Sequence, residues 1–127
     1  MSRVPAIAGK IVLVTGARGG IGRELVAAFL AAGARRVVAA DRSLQTPGHD
    51  PRIVSCVIDV TLEDSVAAAA EQFGDIDILV SNAGVNGNVG LFEDGAARWA
   101  RHEIKVNYLG ALNMLRAFGP TMRKRHE

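Results

Sequence analysis

A single cysteine, Cys56, leaves the 127-residue chain without any internal disulfide. It sits in the apolar run Ile53-Val54-Ser55-Cys56-Val57-Ile58, which predicts a buried, inert thiol in a reducing, cytoplasmic compartment. Aromatic residues make up only 5% and the net charge is only +2. No basic stripe interleaves with aromatics, although the pI is about 9.1, so nucleic acid is excluded as a partner. No apolar run approaches the ~20 residues of a membrane span, and the start, Met1-Ser2-Arg3-Val4-Pro5, has no signal-peptide layout. His49, His102 and His126 share no metal-ligand spacing with Cys56 or with acids, so no metal site is expected and the histidines read as surface residues. Repeats and low-complexity tracts are absent. The length predicts one domain over 1–127.

Hydrophobic residues, by contrast, reach 49% and mean hydropathy is +0.17, values suited to strands covered on both faces. The organising stretch is Lys10-Ile11-Val12-Leu13-Val14-Thr15-Gly16-Ala17-Arg18-Gly19-Gly20-Ile21-Gly22. Ile11 to Val14 has no polar face and reads as a strand of a parallel sheet. A helix follows over 21–32, with Gly33 placed for a left-handed cap. Strand, glycine turn and helix start together make an anion site: the first helical N–H groups lack partners, and glycines let a phosphate approach the backbone. A second strand, Val37-Val38-Ala39-Ala40, ends in Asp41, 19 residues after Gly22. A dinucleotide site places an acid about 20 residues on, where it accepts from the adenosine ribose hydroxyls and repels a 2′-phosphate. NAD is therefore expected over NADP, although Arg18 and Arg42 offer positive charge nearby.

Residues 1–9 read as an arm, and 42–52, with Pro47, Gly48 and Pro51, as a loop. A third strand covers 53–58 and leads into Asp59-Val60. Thr61 with Asp64 resembles a capping box opening a helix that stops at Gly74. A fourth strand over 75–80 runs into Ser81-Asn82-Ala83-Gly84. A loop with Asn86, Gly87, Asn88 and Gly90 precedes a long helix over 96–118, and Pro120 with Arg123, Lys124 and Arg125 closes the chain. Arg98, Arg101 and Glu103 read as a solvated helix face. This alternation predicts an α/β fold: a doubly wound, Rossmann-like parallel sheet of about four strands, ordered 3-2-1-4, with flanking helices. Ligand then sits outside the strand ends at the switch point between strands 1 and 4.

The set Thr15-Gly16-x-x-x-Gly20-Ile21-Gly22, Asp41, Asp59-Val60, Asn82-Ala83-Gly84 and Val106-Asn107 resembles the short-chain dehydrogenase/reductase family from about Lys10 to the chain end. The resemblance implies an oxidoreductase moving a hydride between a nicotinamide cofactor and a carbonyl or alcohol substrate. It gives Gly16, Gly20 and Gly22 to the pyrophosphate, with Ile21 toward the nicotinamide. Asp41 falls to the adenosine ribose, Asp59 and Val60 to the adenine, and Asn82, Ala83 and Gly84 to the floor beside the cofactor. Asn107 matches the family's helix asparagine, which supports a proton relay, and is the only one of its catalytic positions found. Ser81 stands where a second asparagine is common.

The resemblance also implies a chain about twice this length, with a serine after a fifth strand and a Tyr-x-x-x-Lys pair whose i, i+4 spacing puts both on one helix face. Here the single tyrosine, Tyr108, is followed at i+4 by Leu112, and the chain ends where the fifth strand is expected. The expectation is a nucleotide-binding half, truncated before the fifth strand and inactive alone. Strand 4 and the broadly apolar last helix predict a homo-oligomer. The alternative is a non-catalytic nucleotide-binding or self-assembling half-domain. A flavodoxin-like or receiver-type domain fits the glycine turn and strand-end acid poorly.

Overall fold

The computed structural model describes residues 6–43 and 50–126. The first five residues of the arm, and Pro47, Gly48 and His49 of the loop, lie outside the described residues. Four parallel strands form one sheet: β1 (Ile11–Thr15), β2 (Arg36–Asp41), β3 (Ile53–Val57) and β4 (Ile78–Val80), in the order β3-β2-β1-β4. This is the doubly wound arrangement expected. β1 lies in the middle, and every one of its residues is buried.

Alternation along the central strands divides the core in two. Val12 and Val14 of β1 join Val37 and Ala39 of β2 on the face covered by α1 (Gly20–Ala31), which contributes Val26. Leu13 and Val38 point the other way. They meet Val66, Ala69 and Phe73 at α2 (Glu63–Gln72), together with Val106, Met114 and Phe118 of the last helix. With both faces covered, the strands need no polar side, which accounts for their unbroken apolar runs.

The helix boundaries follow local chemistry. Past α1, Gly33 takes φ +90°. Its N–H donates to Leu30 O at 3.1 Å, and that of Ala34 to Phe29 O at 3.0 Å, the paired bonds of a glycine-closed helix. The start of α2 differs from expectation. Leu62 occupies the cap without a side-chain bond, because the Thr61 hydroxyl donates instead to Asp59 Oδ1 at 2.6 Å. β4 begins three residues late. Asp75 is drawn to Arg36 by two bonds of 2.8 and 2.7 Å, and Asp77 Oδ2 substitutes for a backbone carbonyl in accepting from Ile11 N at 2.9 Å.

The last helix departs most from the sequence pattern. It runs as α3 (Ala96–Glu103), a π-helical segment (Ile104–Gly110) and α4 (Ala111–Arg125), passing through Pro120 instead of ending before it. Arg125 fastens its end by donating to Ile76 O at 3.1 Å and pairing with Asp77 at 3.5 Å. The π segment has a wider turn, so it shifts the helix phase. Val106, Gly110, Met114 and Phe118 become the buried line, whereas Ile104, Tyr108 and Leu115 are 57%, 69% and 58% exposed. Among the described residues, no helix is long and apolar enough to cross a membrane.

Candidate functional site

One cavity of about 350 Å³ opens at the carboxyl ends of the strands, above the paired β1 and β4. Gly16, Gly20, Ile21, Gly22, Asp41, Arg42, Asp59, Val60, Asn82, Ala83 and Gly84 all line it. Four turns that are distant in sequence share this rim because the sheet order brings the ends of β3, β2, β1 and β4 side by side.

The glycine turn has two kinds of glycine. A Cβ on Gly22 would lie 2.1 Å from Gly16 O, and Gly16 itself has φ +65°, so the turn's own backbone demands both. A Cβ on Gly20 would meet nothing within 4 Å. Among the described residues no atom requires that glycine, yet it lines the cavity, so the space it leaves suits a ligand resting on the helix start. Thr15, 1% exposed, ties this turn to the next strand. Its Oγ1 accepts from Asn82 N and Ala83 N, each at 3.0 Å, and Asn82 Nδ2 donates to Gly16 O at 3.4 Å.

On the β2 side, Asp41 is oriented by backbone donors. Oδ2 accepts from Arg18 N at 2.9 Å and Oδ1 from Arg42 N at 2.8 Å. A carboxylate held this way keeps lone pairs for a further donor. Arg18 itself does not line the cavity; its guanidinium donates to the Ser43 hydroxyl. Beyond β3, the bond from the Thr61 hydroxyl holds the Asp59 carboxyl below the usual carboxylate range. Burial opposes this, and the Thr61 N–H, Arg42 and Lys105 reinforce it. Burial alone pushes the Cys56 thiol up, away from the reactive thiolate.

On the β4 side, Asn107 also stands off the cavity wall. Its Oδ1 accepts from Val85 N at 2.7 Å and its Nδ2 donates to Val85 O at 2.8 Å. The side chain therefore fixes the segment after Gly84, and it does so from the middle of the π segment, a helical irregularity common at functional sites. Asn113 adds a bond to Val60 O at 2.9 Å. Gly110 permits this approach, since a Cβ there would lie 2.6 Å from Val60 Cγ2.

Sequence reasoning missed several residues of this region. Thr61, Val85 and Val106 line the cavity. Glu103, read as solvated, instead accepts from Gly87 N at 2.7 Å. The signal for Thr15 was its place beside Gly16; Glu103 offered no signal, because its partner is a loop amide.

A family model described as short chain dehydrogenase matches residues 10–127. A short chain dehydrogenase of Aspergillus terreus is 35% identical over 96% of this chain and 30% of its own length. An uncharacterized oxidoreductase of Staphylococcus saprophyticus is 38% identical over 91% of this chain and 50% of its own. Among solved structures, a short chain dehydrogenase from Burkholderia cenocepacia in complex with NADP superposes with a TM-score of 0.88 at 40% identity, covering 94% of this chain and 51% of that one. A 3-ketoacyl-(acyl-carrier-protein) reductase from Brucella melitensis complexed with NADH gives 0.77 at 30% identity, covering 94% and 52%. The chain thus spans between 30% and 50% of the length of these two curated relatives.

Proposed function

The chain belongs to the short-chain dehydrogenase family, and from that premise we propose that residues 1–127 form a single dinucleotide-binding domain of an NAD(H)-dependent oxidoreductase acting on a carbonyl or alcohol. The observation that carries this reading is the cavity rim. A glycine turn with open space above Gly20 lies beside a carboxylate, Asp41, that two backbone amides orient.

The fit runs along the rim. From β3 to β4 is three strand spacings, about 14 Å, a distance suited to an extended dinucleotide. The adenosine lies over β2 and β3: Asp41 accepts from the ribose hydroxyls, Asp59 from the adenine amino group, and Val60 covers the base. The pyrophosphate rests on Gly16, Gly20 and Gly22 at the start of α1, where unpaired N–H groups and the helix dipole favour negative charge. The nicotinamide end falls to Ile21, Asn82, Ala83 and Gly84. When bound, the cofactor supplies or accepts the hydride. Asn107 positions the Val85 backbone at that end.

NAD is preferred because the Asp41 carboxylate repels a 2′-phosphate, and NADP is the weaker ligand because Arg18 and Arg42 offset only part of that charge. The catalytic Ser and the Tyr-x-x-x-Lys pair of the family are not among these residues, since Leu112 stands four residues after Tyr108. The 127-residue polypeptide therefore binds cofactor without turnover. It self-associates through β4, an edge strand, and the outer face of the last helix, with exposed Ile104, Tyr108 and Leu115. A cytoplasmic location agrees with its free cysteine.

Calorimetric titration with NADH and NADPH tests the reading. NADH binding several times tighter than NADPH binding is expected. Absence of binding by either would sink it.

A further inference from the structure

The Val85–Gly87 segment leaves the nicotinamide end of the cavity and runs along α3 and the π segment. Two helix residues four apart hold two segment residues two apart. Asn107 brackets Val85 with bonds of 2.7 and 2.8 Å, and Glu103 Oε1 accepts from Gly87 N at 2.7 Å. The spacings match: one helical turn advances about 5.4 Å and two extended residues about 6.6 Å. The helix thus acts toward this backbone as a neighbouring strand would. Trp99, one turn before Glu103, closes over the same spot. A Cβ on Gly87 would lie 2.6 Å from its ring, and the ring is itself braced edge-on by His102 at 5.7 Å.

We propose that Glu103 is a positioning residue for the nicotinamide end of the site: it is the second pivot that, with Asn107, fixes the Val85–Gly87 segment, whose first residue lines the cavity. This rests on the cofactor reading above. With Asn107 alone the segment has one fixed point and swings about Val85. With Glu103 it has two, and its direction past the cavity is set. The adenosine end, two to three strands away over β2 and β3, is held by its own contacts and does not depend on Glu103.

That separation supplies the test. ADP-ribose carries the adenosine and pyrophosphate of NADH but no nicotinamide. Both ligands are titrated calorimetrically into the 127-residue chain, into Glu103→Ala and into Glu103→Gln, and exchange of the Gly87 amide is followed by NMR. In Glu103→Ala, NADH binding is expected to weaken by about tenfold, the loss of one charge-assisted bond, with ADP-ribose binding unchanged. Gly87 exchange should rise while Asn82 and Ala83, held by Thr15, stay protected. Glu103→Gln keeps a carbonyl acceptor and should restore most of the NADH affinity. Gly87→Ala, which forces the segment away from Trp99, should reproduce the selective loss of NADH binding from the other side of the contact. Equal weakening of both ligands, or unchanged NADH affinity in Glu103→Ala, overturns the proposal. If the unaltered chain binds neither ligand, the cofactor reading itself fails and takes this inference with it; binding of ADP-ribose and NADH with equal affinity would overturn only the claim about the nicotinamide end.

Discussion

At the residue scale, the site is built from side chains that fix backbone, and this decides what substitutions do. Thr15 is buried and accepts from both Asn82 N and Ala83 N. Thr15→Val keeps the shape and removes the acceptor, so Ala83 N–H loses its bond to Thr15, at on the order of 1–3 kcal/mol, while Asn82 N–H keeps Val80 O at 3.1 Å. A lower urea midpoint, together with weakened NADH binding, is the expected result; an unchanged midpoint would mean that water replaces the hydroxyl. Asp41 is a test of charge. Asp41→Asn keeps the volume and one acceptor oxygen but drops the repulsion toward a 2′-phosphate, while the Arg18 guanidinium stays nearby on Ser43. NADH should weaken about tenfold, in line with a bond to a charged group, and NADPH should tighten, so that paired titrations show the two affinities converging. Most of these positions were legible beforehand. Gly22, Asp41 and Asn82 belong to turns whose conformation or chemistry restricts the residue, and that restriction shows in sequence. Glu103 and Trp99 were not legible, because their roles depend on where residues 85–87 pass, and loop paths are set by tertiary packing.

At the element scale, strand order and the faces of the central strands could be read from unbroken apolar runs joined by helices. The last helix could not, because its periodicity is broken by a change of helix type. A strict 3.6-residue template places Ile104, Tyr108, Leu115 and Phe118 on one inward stripe; Phe118 is buried as that template expects, but with the wider π turns its buried companions are Val106 and Met114, and Ile104, Tyr108 and Leu115 are exposed. Pro120 misled in the same way. A proline inside a helix removes one bond and crowds the preceding turn, yet here the helix continues to Arg125, which is anchored on Ile76 O and Asp77. Pro120→Ala restores the missing donor on an exposed face, and a rise of about 1–3 kcal/mol in unfolding free energy is expected from the difference in helix preference, less the entropy that proline removes from the unfolded chain. Denaturant curves of the two proteins would reveal it, and a drop in stability would contradict it. The turn before α2 carries a pH dependence. The Asp59 carboxyl is held below its ordinary value of 3.8, chiefly by the Thr61 hydroxyl. A lowered folded-state pKa contributes stability that is present above the ordinary value and disappears as pH falls through the lowered one. The urea midpoint of Asp59→Asn should therefore lie below that of the unaltered chain at neutral pH, and the two should converge as pH falls through the lowered value.

At the scale of the whole molecule, the described residues bury one line of the last helix and leave the opposite line apolar. Val106, Gly110, Met114 and Phe118 recur every four residues on the sheet side, while Ile104, Tyr108, Leu112 and Leu115 recur at similar spacing outside. A surface helix normally carries charge on its outer face, so this one has the pattern of an element covered on two sides. β4 adds a second uncovered feature, since it ends the sheet with one row of backbone groups unpaired by any described strand. Burying these four aliphatic or aromatic side chains is worth about 1.5–3 kcal/mol each, and that is set against several kcal/mol of lost translational and rotational freedom. The balance favours association at micromolar concentrations, provided the contact extends beyond the stripe. The 127-residue polypeptide is therefore expected to show a concentration-dependent mass above the monomer by light scattering. Tyr108→Glu with Leu112→Lys should shift it toward monomer while leaving NADH affinity intact, because neither residue lines the cavity. If the double variant keeps the larger mass, association runs through the β4 edge. A monomeric mass for the unaltered chain across the whole range would remove both surfaces as interfaces between copies.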